Sequence, residues 1–371
     1  MSSTALIAVA GSGKTERLAR EALREPNPTR VAILTYTTTN QHEDALRLAL
    51  RAHSATRVPA VSGWRSFVLN EIVKPYLPTL FPDVELKGLA LGDPLSFKYL
   101  SGARRYFTRD GRVYPSLLGK LAFDIIKTSK GRAIQRIECL YDSIYIDEGQ
   151  DLRGNDLNVL LELLRSSIDI HIVLDPRQST LSTAPKDAMH KKHYSFAAIV
   201  NLFKDWESKS LLTITYLNET KRFTERIARF SDLIFEVGLG FSATISNVPE
   251  RGFHDGIFLV DQKKLEDYSF AHRATALAVQ ESQKIDAYES VNFGKSKGMT
   301  RDDVVIKATK PIEDLLIRGK RLSPGSACGF YVAVTRAKYS VALAVNNPEK
   351  TLAAMTAGDS IWRDINVQVV H

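Results

Sequence analysis

A glycine-rich turn between an apolar strand and a helix constrains this chain more than any other feature of its sequence. Residues 5–10 are short and apolar, as in a buried strand, and the pattern predicts a helix from Lys14 to about Arg24. Two glycines in the turn would let backbone N–H groups curl around phosphate oxygens at the positive end of the helix. Lys14 is expected to reach the β- and γ-phosphates, and Thr15 to bind Mg²⁺. The cofactor-binding residues predicted in this turn are Ala10, Gly11, Ser12, Gly13, Lys14 and Thr15.

Strand, loop and helix alternate along the chain, which predicts parallel sheets covered by helices. In the first half the pattern gives strands at residues 31–35, 143–146 and 170–174, and helices at 41–52 and 155–165. In the second half it gives strands at residues 211–215, 256–260, 289–293, 304–308 and 340–345, and helices at 224–235 and 329–335. We therefore expect an α/β protein with a first domain at residues 1–207, a second at 208–371 and an irregular insertion at about 70–140.

An acidic segment follows the strand predicted at residues 143–146 and reads Asp147-Glu-Gly-Gln-Asp151. Carboxylates at the end of a buried strand are costly unless they hold a cation or one another. Asp147 is expected to hold Mg²⁺ through water, and Glu148 to orient or deprotonate an attacking water. An ordinary acidic loop is the alternative, and the phosphate-binding turn upstream favours the catalytic interpretation.

The positive charge of the chain is concentrated in one segment. The 371 residues carry 50 Lys and Arg against 42 Asp and Glu, a net charge of +8, and residues 98–138 contain ten basic and only three acidic side chains. Aromatic residues are interleaved with them, and this combination suits a single strand of nucleic acid, which needs phosphate neutralisation and base stacking. We expect Arg104, Arg105 and Arg109 to bind the strand. A solvated basic face with its aromatics in the core is the alternative.

Composition excludes several other classes of protein. Two cysteines cannot form a disulfide framework, and the spacings of Cys and His do not match a zinc site. No apolar run reaches the ~18 residues of a membrane span, and the first residues lack the basic and apolar regions of a signal peptide. A cytoplasmic location is therefore expected.

Beyond these motifs, the chain resembles the superfamily 1A DNA helicases of the UvrD, Rep and PcrA group. The acidic segment at Asp147 is similar to their D-E-x-Q-D motif, and Tyr331-Val-Ala-Val-Thr-Arg-Ala337 is similar to their Y-V-A-x-T-R-A motif. Further segments resemble the family's other motifs in order, namely residues 34–40, 63–67, 175–178, 218–222 and 295–299. The resemblance implies two RecA-like P-loop NTPase domains with ATP and Mg²⁺ in the cleft between them.

The resemblance also implies a role for each matching residue. The implied catalytic residues are Asp147, Glu148, Gln178, Arg222 and Arg336, with Arg336 as the arginine finger. The further nucleotide contacts implied are Lys297 and Gly298. The residues implied to contact single-stranded DNA are Thr35, Tyr36, Thr37, Trp64 and Lys295. Tyr36 and Trp64 are candidate platforms for bases, with a place in the core as the alternative.

The chain departs from the family at several positions. Lys221 stands where a tyrosine stacks on adenine, and no aromatic residue follows Gln178 where the family stacks a DNA base. Only about 70 positions separate Arg222 from Val291, which leaves no room for the family's 2B domain, whereas the basic segment matches a reduced 1B insertion. These features resemble the compact UvrD-like proteins found beside nuclease subunits in anti-phage systems of the Gabija type.

The sequence supports three hypotheses of function. The first is an ATP-dependent translocase or 3′–5′ helicase that single-stranded DNA stimulates, acting in anti-phage defence or DNA processing. The second is a nucleotide- and DNA-sensing ATPase subunit of a nuclease complex, with an OLD-type nuclease as its partner and little unwinding of its own. The third is a degenerate nucleotide-binding scaffold, which the retained catalytic residues disfavour.

Overall fold

The chain folds into two six-stranded parallel sheets, each flanked by helices. The computed structural model describes residues 3–35, 59–180, 186–187, 189, 196–235, 241–279, 285–293 and 296–371. Every pairing between neighbouring strands in the two large sheets is parallel. The predicted fold class, α/β with two RecA-like sheets, is therefore confirmed.

The first sheet comprises β1 Thr4–Ala8, β2 Val31–Thr35, β3 Ala60–Gly63, β4 Ser143–Ile146, β5 Asp169–Leu174 and β6 Thr213–Leu217, in the spatial order β3-β2-β4-β5-β1-β6. Two short strands, β7 Glu219–Thr220 and β8 Ile245–Ser246, pair with each other. The second sheet comprises β9 Gly256–Asp261, β10 Thr275–Ala278, β11 Glu289–Asn292, β12 Arg301–Lys307, β13 Ala337–Val345 and β14 Val367–Val370, in the order β11-β10-β12-β13-β9-β14.

The helices of the first half are α1 Lys14–Leu23, α2 Trp64–Phe67, α3 Lys74–Tyr76, α4 Ala103–Tyr106, α5 Leu118–Thr128, α6 Arg132–Leu140, α7 Asp156–Leu164 and α8 Phe196–Ser208. Those of the second half are α9 Glu225–Asp232, α10 Leu265–His272, α11 Lys310–Arg318, α12 Pro324–Val334 and α13 Pro348–Met355. The helix predicted at residues 41–52 lies outside the described part of the chain. Within that part, no helix is long and apolar enough to cross a membrane.

The inner strands of both sheets are buried on both faces, which explains why strands such as β2, β4 and β9 are apolar runs. Successive side chains of a strand point to opposite faces. Ala5 and Ile7 of β1 therefore pack in one core, and Leu6 and Ala8 pack in the core on the other side of the sheet. Alternate residues of β9 divide in the same way between the two cores of the second sheet.

The strand predicted at residues 211–215 belongs to a different sheet from the one that was expected. The pattern assigned it to the second half, but β6 pairs with β1, from Thr4 opposite Thr213 to Ala8 opposite Leu217. Apolar pattern fixes a strand, whereas its pairing partner depends on contacts far apart in sequence. The first sheet thus continues to Leu217. The division of the chain at residues 207 and 208 remains a prediction.

Residues 64–140 form the insertion between β3 and β4. Its first helical stretch runs from α2 through a π-helix at Val68–Val73 into α3. Helix α5 packs against α7, and its apolar residues belong to the first core. The segment that the sequence describes as irregular contains the short helix α4 and isolated bridges of Val113 to Leu89 and Phe107. The insertion is therefore anchored to the first sheet at its carboxyl-terminal end.

The second core is expected to be sensitive to loss of Trp362. This indole stacks on Phe230 with ring centroids 4.8 Å apart, and its N–H donates to the carbonyl of Leu315 at 3.3 Å. We expect Trp362→Ala to lower the free energy of unfolding by about 3–5 kcal/mol, because it leaves a large cavity in the core. Phe270 is 53% exposed, so Phe270→Ala should change it by less than about 0.5 kcal/mol. Urea titration of both variants tests the difference, and equal losses would contradict this account of the core.

Candidate active site

The predicted catalytic residues meet because β4, β5 and β1 are neighbours in the first sheet. The carboxyl ends of parallel strands lie along one edge of the sheet. The glycine-rich turn follows β1, the acidic segment follows β4, and a 3₁₀ turn at Pro176–Gln178 follows β5. Three segments that are far apart in sequence are thus brought together at a single edge.

The turn after β1 has the conformation that its glycines predict. Gly11 and Gly13 have φ angles of 74° and 77°, in the left-handed region that other residues avoid. Gly13 is the N-cap of α1, so the helix directs its first N–H groups into the turn. Ser12 is buried, and its hydroxyl oxygen has no hydrogen-bond partner among the described residues. An unpaired buried hydroxyl and a helix N-terminus suit an anionic ligand such as phosphate.

Ala10 makes a contact with the second half. Its backbone N–H donates to the hydroxyl of Tyr331 in α12 at 3.3 Å, and that hydroxyl lies 3.3 Å from Oδ2 of Asp175. The predicted phosphate contact of the Ala10 amide is therefore replaced here by a hydrogen bond across the cleft. Lys221 N–H also donates to the carbonyl of Gly11 at 2.9 Å, so the turn is held from both halves.

Asp147 and Glu148 face the turn from the end of β4. The hydroxyl of Thr15 donates to Oδ2 of Asp147 at 2.7 Å, and Lys14 Nζ lies 3.6 Å from Oε1 of Glu148. Both carboxylates are buried, and Glu148 adopts a φ of 57°, which is uncommon outside glycine and concentrated at functional sites. The predicted pairing of Thr15 with Asp147 is thus present in the structure.

The oxygen atoms of Thr15 and Asp147 suit a magnesium ion. Magnesium favours oxygen ligands and is usually held by one or two carboxylates together with substrate phosphates and water. Among the described residues, no group of three or more His, Cys, Asp and Glu side chains could hold a metal by itself. The side chains present therefore fit a cation that arrives with a phosphate ligand.

Lys297 enters the acidic segment from the second half. Its ammonium group lies 2.6 Å from Oδ2 of Asp151 and 3.4 Å from Oε2 of Glu148. Burial opposes the charge of Lys297, but the two carboxylates outweigh burial and raise its pKa. Gln150 also donates its amide N–H to Glu148. Lys297 was expected to lie at the nucleotide, and in this structure it is an ion-pair partner of the acidic segment; Gly298 follows it with a φ of 88°.

Gln178 connects the first half to Arg336. Its amide nitrogen donates to Oδ2 of Asp175 at 2.8 Å, and its amide oxygen lies 3.5 Å from Nη2 of Arg336. Asp175 is fixed in turn by its own N–H, which donates to Gln150 Oε1 at 3.0 Å. Gln178, implied as a catalytic residue, and Arg336, the implied arginine finger, are therefore in contact between the two halves.

Arg222 and Arg336 bring two positive charges to this cleft. Arg336 donates to the carbonyls of Val332, Ser296 and Met299, and Arg222 lies 3.5 Å from the carbonyl of Thr335. Burial, followed by the charge of Arg222, lowers the pKa of Arg336 to about 9, and burial lowers the pKa of Arg222. Within the described residues, neither guanidinium forms an ion pair with a carboxylate. Arg336 is buried and Arg222 is partly buried, and two such cations without a carboxylate partner among the described residues favour a multiply charged anion between them.

The residues predicted to bind nucleic acid fall into three groups. Thr35 and Trp64 are buried, and Trp64, 1% exposed, packs in the first core beside Phe67 with centroids 6.5 Å apart. The expectation that Trp64 offers a face to a base is thus wrong, because no face of its ring is open. Arg104, Arg105 and Arg109 are exposed in the insertion. Tyr36, Thr37 and Lys295 lie outside the described residues.

Several residues of the site had no predicted role. Tyr331 lies inside the motif similar to Y-V-A-x-T-R-A. A tyrosine on an apolar helix needs a hydrogen-bond partner for its hydroxyl, and this need was the feature of the sequence that could have indicated its role. Arg177 is buried against the Tyr331 ring at 4.7 Å and donates to Asp232 at 2.8 Å. Asp151 was part of the acidic segment, but its pairing with Lys297 depends on the approach of the second half.

Comparison with known proteins finds solved structures that are similar to this chain at low sequence identity. No protein-family model and no curated protein matches the chain. A crystal structure of arterivirus nonstructural protein 10, a helicase, is 12% identical with a TM-score of 0.49, over 95% of this chain and 62% of that one. The complex of that helicase with DNA is 12% identical with a TM-score of 0.47, over 95% and 63%. The chain thus spans about three fifths of the length of these structures, and what it does is judged from its own residues.

Substitution of the two glycines of the turn by alanine is expected to have different effects. A Cβ atom at Gly11 would lie 2.4 Å from Cβ of Arg222, whereas none of the neighbouring atoms comes within 4 Å of a Cβ at Gly13. We expect Gly11→Ala to destabilise the ligand-free protein by about 2–5 kcal/mol, from left-handed strain plus overpacking. Gly13→Ala should cost only the strain, about 1–2 kcal/mol.

Thermal unfolding of both ligand-free variants measures this difference. Calorimetric titration with an ATP analogue then gives the second contrast, because the Cβ of Gly13→Ala would occupy the open space of the turn and should weaken binding at little cost in stability. Equal melting temperatures for the two variants would argue against close packing of the turn on Arg222.

Proposed function

We propose that this protein hydrolyses ATP in the cleft between its two sheets. The observation that carries the proposal is the contact of Arg336, from the second half, with Gln178 of the first half. Arginine placed opposite a phosphate-binding turn stabilises the negative charge that develops during phosphoryl transfer. The phosphate-binding turn and acidic pair of the first half would thus be completed by cations of the second half.

The side chains of the site divide the reaction between them. Glu148 would accept the proton of the attacking water while the water oxygen bonds to the γ-phosphorus and the bond to the β-phosphate oxygen breaks. Gln178 would orient this water, and Lys14 would neutralise the phosphates. Thr15 and Asp147 would hold magnesium, which when bound supplies neutralisation of phosphate charge. Arg222 and Arg336 would stabilise the departing charge.

We further propose that hydrolysis is coupled to single-stranded DNA. The support is the exposed side chains of Arg104 and Arg109 in the insertion, together with the motif order, which resembles that of UvrD-like helicases. A translocase or 3′–5′ helicase of that group, acting in anti-phage defence or DNA processing, is the resulting assignment. Residues from both halves hold the site, so nucleotide binding and release would move the halves against one another.

A second candidate is a nucleotide- and DNA-sensing ATPase subunit of a nuclease complex. The observation that favours it is the length of the second half, in which the described residues between Arg222 and β12 are used by strands β8 to β11 and their helices. A separate unwinding domain does not fit in this interval. An OLD-type nuclease would then be the partner in a hetero-oligomer.

Lys14 and Arg336 provide the test of hydrolysis. We expect Lys14→Ala and Arg336→Lys each to lower kcat for DNA-stimulated phosphate release by about 10²–10³-fold, because the first removes a positioned cation and the second removes the planar guanidinium that can hold the transferred phosphate with two hydrogen bonds. Arg17→Ala is the matched control on α1, since Arg17 is exposed and its ion-pair partner among the described residues is Glu21 at 2.8 Å. Hydrolysis by Lys14→Ala at the wild-type rate would exclude the site.

Unwinding separates the two candidates. A translocase with helicase activity should separate a duplex with a 3′ single-stranded tail when ATP is present, and should fail on a 5′ tail. A sensing subunit should hydrolyse ATP in response to the same DNA without separating it. Phosphate release and strand separation measured on one preparation distinguish these outcomes.

A further inference from the structure

A groove with a volume of about 390 Å³ opens in the insertion, away from the residues assigned to hydrolysis. Its apolar lining residues, called its floor below, are Val84, Ala103 and Phe107. Charged residues of both signs also line it, namely Asp83, Glu85, Lys87, Arg104, Arg109 and Asp110. The volume falls in the ~300–1,000 Å³ range of small-ligand sites.

Hydrogen bonds fix the walls of this groove. Lys87 N–H donates to the carbonyl of Gly111 at 2.9 Å, and Val113 N–H donates to the carbonyl of Gly88 at 2.8 Å. On the facing segment, Thr108 N–H donates to the carbonyl of Arg112 at 2.8 Å. The groove is therefore formed by paired backbone before any ligand arrives, which reduces the entropy cost of binding.

Some charged side chains at the groove have an ion-pair partner among the described residues, and others do not. Asp110 pairs with Arg112 at 2.9 Å, and Glu85 lies 3.9 Å from Lys87. Arg104 and Arg109 form no ion pair with any described residue. Arg105 is exposed next to Arg104 but does not line the groove. The groove thus contains two cations available to phosphate, beside an apolar floor.

We propose that this groove seats one nucleotide of a single strand, with its phosphates on Arg104 and Arg109 and its base on the apolar floor. The inference rests on the proposed nucleic-acid function and goes beyond it by locating the contact. A cationic edge beside an apolar surface is what sequence-tolerant binding of single strands uses.

The proposal separates Arg104 and Arg109 from their neighbour Arg105. Fluorescence anisotropy with a 20-nucleotide dT oligomer at 0.1 M salt should give about tenfold higher Kd for Arg104→Ala and for Arg109→Ala. Arg105→Ala is the matched control and should raise Kd less than about twofold. If all three variants lose affinity equally, binding is a diffuse charge effect and the groove is not the site.

A variant that fills the groove tests the base without changing charge. Ala103→Phe should raise Kd about tenfold. Ala353→Phe is the control, since Ala353 is exposed on α13, and it should leave Kd unchanged. An abasic oligomer of equal length should bind wild type more weakly, and should bind wild type and Ala103→Phe alike. Wild-type affinity in Ala103→Phe would overturn the proposal.

The rate of phosphate release without DNA tests the proposed function separately from the groove. All groove variants should retain the DNA-free ATPase rate of wild type, because none touches the cleft. If wild type does not hydrolyse ATP, the proposed function fails, whereas the oligomer measurements still decide the groove.

Discussion

The buried carboxylate of Glu148 is the constraint on which the arrangement of the two halves depends. A carboxylate removed from water is stable only if cations and hydrogen bonds replace its hydration. Lys14 supplies one cation from the first half at 3.6 Å, and Lys297 supplies another from the second half at 3.4 Å. Separation of the halves would leave Glu148 and Asp151 without Lys297, so the proposed base also stabilises the closed cleft.

The second half completes this site through hydrogen bonds as well as charge. The hydroxyl of Tyr331 lies between the N–H of Ala10 and Asp175, and Arg336 contacts Gln178. A ligand that enters the turn must therefore compete with contacts that now hold the cleft. In the proposed function, nucleotide binding would therefore be linked directly to movement of the halves.

The insertion contributes a different kind of surface. Its aromatic residues divide by burial, since Tyr106 and Phe107 pack in the core while Tyr99 is 85% exposed. Most of its basic side chains are exposed, and several, such as Lys120 with Asp124, are already paired. The charge excess of the sequence is thus not one uniform face: the unpaired arginines at the groove differ from basic residues that satisfy local carboxylates.

The sequence by itself determined the local elements and the chemistry of the turn and acidic segment. Strands β2, β4 and β5 match their predicted bounds to within one residue. A strand that is buried on both faces is a continuous apolar run, and such a run can be recognised from the sequence alone. The glycines before Lys14 specified left-handed backbone in the turn, and Thr15 and Asp147, both predicted to hold Mg²⁺, lie in contact.

Only the tertiary structure decided which elements meet. The pairing of β6 with β1, the burial of Trp64, the hydroxyl of Tyr331 at Ala10 and the approach of Lys297 to Asp151 all join residues distant in sequence. Such contacts depend on the packing of whole sheets and helices, and a local pattern does not contain them. The same reason separates Arg104 from Arg105, which are identical in type and adjacent in the chain but differ in the surface that they line.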